Sequence, residues 1–169
     1  MKMKDKKYLY SPWRIEYVLA KKGKECIFCH KPKAEEDPKH MIVYRSSLSY
    51  VIINLYPYNN GHVMVVPFRH VSSLVELNPG EIKDLFMTVQ LTEKVLRSAY
   101  NPEGINIGLN LGKAAGAGID EHLHVHLVPR WVGDCNFMSV IGGKRVIPEA
   151  FDKTFNLLQE QFDNELTNK

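Results

Sequence analysis

The stretch that decides the fold is His122-Leu123-His124-Val125-His126-Leu127-Val128, which holds three of the chain's seven histidines within five residues. Side chains alternate along a strand, so this pattern predicts a β-strand with its imidazoles on one face, about 6 to 7 Å apart. The intervening leucines and valine would then point to the opposite face, into a core. Imidazoles this close would repel one another when protonated, which argues against a merely hydrated, histidine-rich surface.

Two kinds of chemistry use such a cluster of imidazoles. Three histidines can hold a catalytic metal ion. Alternatively, a neutral imidazole nitrogen can attack phosphorus while its neighbours hold its tautomer and stabilise the developing charge. Histidine suits the second role because its ordinary pKa of about 6.5 leaves it largely uncharged at neutral pH. The residues of the strand leave both interpretations open.

Further strands are predicted on either side of a long helical pattern. Residues 50–55 and 62–66 are rich in valine and isoleucine, and the turn-forming Tyr-Pro-Tyr-Asn-Asn-Gly separates them. Residues 105–111 alternate strictly, which predicts a half-buried strand. Residues 30–40 are polar and contain two prolines, so we expect a loop there. Short connections between consecutive strands favour antiparallel pairing and an α+β fold.

The helices are predicted from their start signals and apolar spacing. Asn78 and Glu81 form a capping-box pattern, and Pro79 suits the first helical position. Apolar residues then recur at helical spacing to about residue 100. Pro148 opens a C-terminal helix with an apolar stripe, and a short helical pattern covers residues 11–20.

Length and composition indicate one globular domain. The chain has 169 residues, 44% of them hydrophobic and 24% charged, with a net charge of +3. We expect residues 1–10 to be a tail and residues 11–169 to form a single domain. The positive charge is concentrated in N-terminal lysines, so nucleic-acid binding is not expected. The sequence contains neither a membrane-spanning run nor a signal-peptide pattern, which predicts a cytoplasmic protein without a membrane partner.

The cysteines suggest metal or redox chemistry rather than a disulfide framework. Cys26 and Cys29 have the spacing of zinc ligands, and such a pair needs two more ligands for a closed tetrahedral site. A redox dithiol and two merely buried thiols are the alternatives. Cys135 has no recognisable activating partner and is interpreted as an ordinary thiol.

A glycine-rich loop precedes the histidines. Its glycines, from Gly112 to Gly118, permit a backbone conformation that presents N–H groups to phosphate oxygens. It is not a Walker loop, because Lys113 is followed by Ala114 and the required glycine spacing is missing. The loop predicts a phosphate-binding turn chiefly because of its position.

The pattern His-x-His-x-His-x-x, continued by Pro129 and Arg130, resembles the signature of the histidine triad nucleotide hydrolases and transferases. The resemblance extends from Cys26 to Pro148. It is greatest to the bacterial diadenosine tetraphosphate phosphorylase branch, on the evidence of Trp131, Gly133-Asp134, Asn136-Phe137 and residues 54–62. It implies the histidine triad fold, an antiparallel sheet of about five strands with a long helix packed on it and a C-terminal helix.

The resemblance also implies roles for individual residues. His124 would be the nucleophile that forms a covalent nucleotidyl-histidine, with His126 orienting it and hydrogen-bonding the phosphate, and His62 flanking the site. Asn54 would bind ribose and Asn110 the phosphate. Zinc would be held in a structural site by Cys26, Cys29, His70 and His122, and no organic cofactor is expected.

One departure and one open position concern the substrate. Many relatives carry serine, threonine or glutamine late in the glycine-rich loop, where Ala117 and Gly118 leave only backbone groups to contact substrate. Trp131 could stack on a base or contact the far end of a long substrate, or it could simply border the core. Family members commonly dimerise through a helix and an adjoining strand, so a homodimer is expected.

The function expected from the sequence is cleavage of a dinucleoside polyphosphate, such as diadenosine tetraphosphate, at the α-phosphate through His124. Water or inorganic phosphate would complete the reaction. The alternatives are a nucleoside phosphoramidate hydrolase, an adenine nucleotide-binding module without turnover, and a metallohydrolase in which the metal coordinates His124 itself.

Overall fold

A computed structural model describes residues 26–33, 36–134 and 149–167 of the protein. The predicted tail, the helical pattern over residues 11–20, Cys135 and Pro148 lie outside these ranges. The described helices are α1 (Ile27–Lys33), α2 (Asp37–His40), α3 (Pro79–Tyr100) and α4 (Phe151–Thr167). The strands are β1 (Ile42–Arg45), β2 (Ser49–Ile53), β3 (Val63–Pro67), β4 (Gly104–Gly108) and β5 (Val125–Arg130), and short 3-10 turns cover Leu74–Glu76 and Lys113–Ala115.

The five strands form one antiparallel sheet in the order β1-β2-β3-β5-β4. β5 lies between β3 and β4, and His126 is opposite Met64 on one side and Gly108 on the other. The predicted α+β fold, the strand-turn-strand unit and the antiparallel sheet of about five strands are therefore confirmed. No helix within the described ranges is both long and apolar enough to cross a membrane.

The two faces of the sheet carry separate apolar clusters. One face packs against α3 and α4 in the main core, to which these helices contribute Leu85, Leu96, Phe155, Leu158 and Phe162. The residues that alternate with the triad histidines join the same core, as their spacing predicts; they are Leu123, Val125 and Leu127. The opposite face carries a smaller apolar cluster of Phe28, Ile42, Tyr50, Ile52, Met64 and Val66.

α3 begins and ends as its sequence predicts. The Asn78 side chain accepts a hydrogen bond from the Glu81 N–H at 3.0 Å, and the Glu81 carboxylate accepts one from the Asn78 N–H at 2.9 Å. This reciprocal capping box satisfies two amides at the helix start. The helix ends at Tyr100, where Asn101 takes a left-handed conformation.

The expectation of a loop over residues 30–40 is wrong, because α1 and α2 occupy much of that range. Pro38 lies in the first turn of α2, where a missing N–H costs nothing. Tertiary contacts hold both helices. The Arg45 guanidinium donates to the Pro32 carbonyl at 3.0 Å and to Asp37 at 2.8 Å, and the Tyr50 hydroxyl donates to the Phe28 carbonyl at 2.7 Å.

Two strands differ from their predicted extents. β4 is shorter than residues 105–111, and it lies at the edge of the sheet, where Ile107 is 45% exposed. β5 begins at Val125, so His122 and His124 precede the regular strand rather than lying within it.

Candidate active site

The imidazole of His124 is buried directly before β5 and has one defined tautomer. Its Nδ1 lies 2.8 Å from the His122 carbonyl oxygen. A carbonyl can only accept, so Nδ1 carries the proton and Nε2 keeps its lone pair. Burial lowers the pKa of His124, which keeps the ring neutral at pH 7. The Phe28 ring, with its centroid 5.2 Å away, packs beside it.

A chain of hydrogen bonds sets the tautomers of His62 and His126. The Tyr58 backbone N–H donates to His62 Nδ1 at 3.0 Å, so the proton of His62 is on Nε2. That Nε2 lies 2.9 Å from His126 Nδ1 and donates to it. The proton of His126 is therefore on its own Nε2. The rings of His126 and His124 are 4.8 Å apart at 76°.

The imidazoles of His62, His124 and His126 are all neutral at pH 7. Burial, followed by the neighbouring imidazoles of His126 and His124, lowers the pKa of His62 to about 3. Burial and the His124 ring lower the pKa of His126 to about 4. The repulsion expected between protonated histidines is thus absent near neutrality, and the site offers one free nitrogen lone pair beside one N–H donor.

The turn between β2 and β3 holds His62 in place. Tyr58 stacks on the His62 ring with centroids 5.0 Å apart. Asn54 is buried beside it, with its amide nitrogen 3.4 Å from the accepting Nδ1 of His62 and its Oδ1 accepting from the Tyr56 N–H at 2.9 Å. Gly61 has a φ of +71°, and a Cβ there would lie 2.7 Å from the Tyr100 ring. The turn therefore requires glycine at position 61.

The glycine-rich loop has the backbone that its sequence predicts. Gly112 and Gly116 take positive φ values of 79° and 90° on either side of a 3-10 turn. Asn110 and Ala117 are half-buried, and Gly118 is exposed. Beyond the loop, Ile119 packs against the apolar cluster that contains Phe28. The loop thus runs to the face of the sheet on which His124 contacts Phe28.

Trp131 and Arg130 lie at the end of β5. The Trp131 ring contacts Tyr100 edge-on, with centroids 6.4 Å apart. The Arg130 guanidinium pairs with Asp134 and donates to Asn106 Oδ1 at 2.8 Å. From the sequence, Arg130 could bind phosphate or form a surface salt bridge, and this ion pair favours the second interpretation.

The four sequence-predicted metal ligands come together in one group. Cys26, Cys29, His70 and His122 place their ligand atoms within 4.8 Å of one another. His122 Nδ1 is 3.4 Å from Cys26 Sγ and 3.5 Å from Cys29 Sγ, and His70 Nδ1 is 3.3 Å from Cys29 Sγ. His122 Nε2 donates to the Pro67 carbonyl at 2.9 Å, which leaves Nδ1 free to bind a metal.

The metal group is separate from the imidazoles of His62, His124 and His126, which form the predicted catalytic set. His122 is the one triad histidine in the metal group found among the described residues. His124 Nδ1 is occupied by the His122 carbonyl, and His126 Nδ1 by His62. This division argues against the interpretation in which all three histidines of the triad hold one metal ion.

Sequence reasoning missed several residues that organise the site. Tyr58 sets the tautomer of His62 with its backbone amide, which no side-chain pattern reveals. Phe28 packs against both His122 and His124. Asn59 and Asp134 hydrogen-bond each other at 2.8 Å across 75 residues of sequence. Of these residues, only Phe28 could have been found from the sequence, because it lies between Cys26 and Cys29.

Comparison with known proteins agrees with this geometry. Residues 35–132 match the family described as HIT domain. The chain is 40% identical over 162 residues to the AP-4-A phosphorylase of Mycobacterium tuberculosis, covering 91% of this chain and 83% of that protein. It is 39% identical over 93 residues to the bis(5'-nucleosyl)-tetraphosphatase (asymmetrical) of Schizosaccharomyces pombe, covering 55% of this chain and 50% of that protein.

The fold has counterparts among solved structures. The crystal structure of a Zn-bound histidine triad family protein from Mycobacterium smegmatis superimposes with a TM-score of 0.70 at 24% identity. The alignment covers 86% of this chain and 98% of that one. Together with the family match over residues 35–132, these likenesses show that the chain belongs to the HIT domain family.

Proposed function

We propose that the protein cleaves dinucleoside polyphosphates, such as diadenosine tetraphosphate, at the α-phosphate through a covalent nucleotidyl-histidine on His124. The observation that carries this proposal is the hydrogen bond from His124 Nδ1 to the His122 carbonyl, which leaves Nε2 as a neutral nucleophile. The likeness to the M. tuberculosis AP-4-A phosphorylase supports the substrate class.

The first displacement joins nitrogen to phosphorus. The Nε2 lone pair of His124 attacks the α-phosphorus, and the bond from phosphorus to the bridging oxygen breaks. The Nε2–H of His126 lies beside the nucleophile and donates a hydrogen bond to the departing polyphosphate oxygen, which leaves as an anion with the electron pair of the broken bond. His62 holds the His126 ring in this orientation through the hydrogen bond between the two rings, at 2.9 Å.

The second displacement releases the nucleotide. Water or inorganic phosphate attacks the same phosphorus and releases a proton to solvent, and the phosphorus–nitrogen bond breaks to restore neutral His124. The name of the M. tuberculosis relative favours phosphate as the acceptor, whereas that of the S. pombe relative favours water. Because the relative with the higher identity and coverage is the phosphorylase, we propose phosphorolysis.

Substrate binding is assigned to residues around the imidazoles. Asn54 lies beside His62 and would contact ribose, and Asn110 would contact phosphate. The backbone N–H groups at Ala117 and Gly118 would bind phosphate oxygens, as the loop's positive-φ glycines support. Trp131, at the end of β5, would contact the far end of a long substrate.

Trapping the intermediate tests the proposal. Wild-type protein incubated with diadenosine tetraphosphate labelled at the α-phosphate should retain acid-labile label on protein, and His124→Ala should retain none. A substrate panel with and without inorganic phosphate identifies the acceptor: phosphorolysis gives ADP as the nucleotide cleaved from the labelled half, and hydrolysis gives AMP. Equal labelling of wild type and variant would refute His124 as the nucleophile. Turnover of phosphoramidates alone would refute dinucleoside polyphosphates as the substrate class.

We also propose that Cys26, Cys29, His70 and His122 hold a structural zinc ion. Zinc–sulfur bonds of about 2.3 Å and zinc–nitrogen bonds of about 2.0 Å would separate tetrahedral sulfur and nitrogen ligands by about 3.5 Å. The sulfur–nitrogen distances of 3.3–3.5 Å fit that arrangement. Thiolate ligands also suit a reducing compartment, so we propose a cytoplasmic location. Metal analysis of the purified protein tests the site.

A homodimer is proposed from the exposed edge of the sheet. β4 is the last strand in the sheet order and presents Ile107 at 45% exposure, and α3 exposes Phe86 and Met87 by about half. An edge strand with exposed apolar residues favours pairing with another chain. Sedimentation of wild type and Ile107→Lys tests this, because the charge should shift the protein toward the monomer.

A further inference from the structure

Asp134 links two segments of the chain, the end of β5 and the turn that precedes His62. Its largely buried carboxylate accepts hydrogen bonds from Arg130 Nε at 2.5 Å and Nη2 at 2.7 Å. It also accepts from the Asn59 amide at 2.8 Å and from the Trp131 backbone N–H at 3.3 Å. The residue thus joins the end of β5 to the turn between β2 and β3.

Asn59 carries this connection into the turn. Its Nδ2 donates to Asp134 and also to the Pro129 carbonyl at 3.1 Å, so both amide hydrogens have acceptors. This pair of acceptors fixes the orientation of the amide. The Asn59 backbone carbonyl accepts from the His62 N–H at 3.2 Å and closes the turn.

The same turn delivers the amide that fixes the tautomers. Tyr58, next to Asn59, donates its backbone N–H to His62 Nδ1 at 3.0 Å. Through the 2.9 Å contact between His62 and His126, this amide decides which nitrogen of His126 carries a proton. A shift of the turn would therefore reach His126 without any change in the imidazoles themselves.

We propose that Asp134 is a positioning residue which, through Asn59, holds the Tyr58 amide on His62 and so keeps the Nε2–H of His126 available to the leaving group. It touches none of the three imidazoles in the hydrogen bonds described above. Its effect passes through a buried charged hydrogen bond, which is stronger and better aligned than a neutral one. The kinetic part of this inference rests on the proposed function.

Two variants separate this role from simple stabilisation. Asp134→Asn replaces the carboxylate that Arg130 and Asn59 share. Asn59→Ala removes the link to the turn but leaves the pair of Arg130 and Asp134 intact, so it remains informative if Asp134→Asn does not fold. Glu93→Gln is the matched control, because Glu93 accepts two hydrogen bonds from Arg97 on the surface of α3.

The first measurement is kinetic. With diadenosine tetraphosphate, both variants should lower kcat by about 10-fold to 100-fold and change KM by less than about threefold, since they disturb the hydrogen bond to the leaving group more than substrate binding. Glu93→Gln should leave both constants unchanged. An unchanged kcat in Asn59→Ala would overturn the proposal.

The second measurement does not need turnover. Nitrogen-15 NMR of the histidine rings at pH 7 should show His62 and His126 as Nε2–H tautomers in wild type and as mixtures in both variants, with His124 unchanged. Unaltered tautomers in the folded variants would overturn the proposal even if kcat fell. If wild type shows no turnover, the proposed function fails, and the ring signals still decide the role of Asp134.

Discussion

The metal group and the predicted catalytic set both contain histidines, yet the two sets differ in how the imidazole nitrogens are used. In the metal group, His122 gives Nε2–H to the Pro67 carbonyl and turns its free Nδ1 toward two thiols. In the catalytic set, His124 gives Nδ1–H to a carbonyl and keeps Nε2 free. Which nitrogen is tied to a carbonyl thus distinguishes the predicted ligand His122 from the predicted nucleophile His124, two residues apart.

The largest expected effect separates the two sets by activity. His124→Ala should lower turnover by at least about 1,000-fold, because it removes the nucleophile, while the melting temperature stays close to that of wild type. His70→Ala should lose bound metal and retain more turnover than His124→Ala. Steady-state kinetics and metal analysis of both variants check this. Equal activity losses would end the distinction.

The next largest effect distinguishes the metal group from the predicted catalytic set by its contribution to stability. Cys26→Ser should lose the metal and lower the melting temperature by on the order of 10 °C, because metal binding contributes to folding. Calorimetry with and without added zinc measures it. A melting temperature that is equal in wild type and variant at saturating zinc would show that the group contributes nothing to stability.

Much of this comparison can be predicted from sequence, and the reasons are local. Alternation predicts the core residues around the triad, and the Asn78 capping box predicts the start of α3. The loop predicted for residues 30–40 is wrong because contacts from Arg45 and Tyr50, distant in sequence, stabilise α1 and α2. The tautomers of His62 and His126 are out of reach of sequence patterns because a backbone amide of Tyr58 sets them.

A pH effect should distinguish the buried catalytic set. The pKa of His62 is about 3 in the folded protein, below the ordinary value of about 6.5. The unfolded chain therefore binds more protons between these values, so this contribution to stability is full above pH 6.5 and is lost as the pH falls toward 3. Denaturant unfolding at saturating zinc should show a smaller loss between pH 6.5 and 5 in His62→Gln. If the free energy of unfolding depended on pH identically in wild type and His62→Gln, the lowered pKa of His62 would be contradicted.

The smallest expected effect concerns the ring that lies between the two sets. Phe28 is buried, and its ring centroid is 5.6 Å from that of His122 and 5.2 Å from that of His124. Phe28→Leu should destabilise the protein by about 1–2 kcal/mol through lost packing, with a modest fall in kcat. Chemical unfolding and kinetics measure both. A large loss of bound metal in this variant would mean that the two sets are less independent than their hydrogen bonds indicate.

The contact between Gly61 and Tyr100 makes the packing of the turn depend on the number of residues in α3. Tyr100 is the last residue of α3, and its ring fills the space that a side chain at position 61 would need. Each residue of an α-helix advances the side-chain direction by about 100°. Deleting one residue anywhere in α3 would therefore rotate this ring away from the turn. A change of helix register far from the histidines would then remove a contact that packs against the residue next to His62.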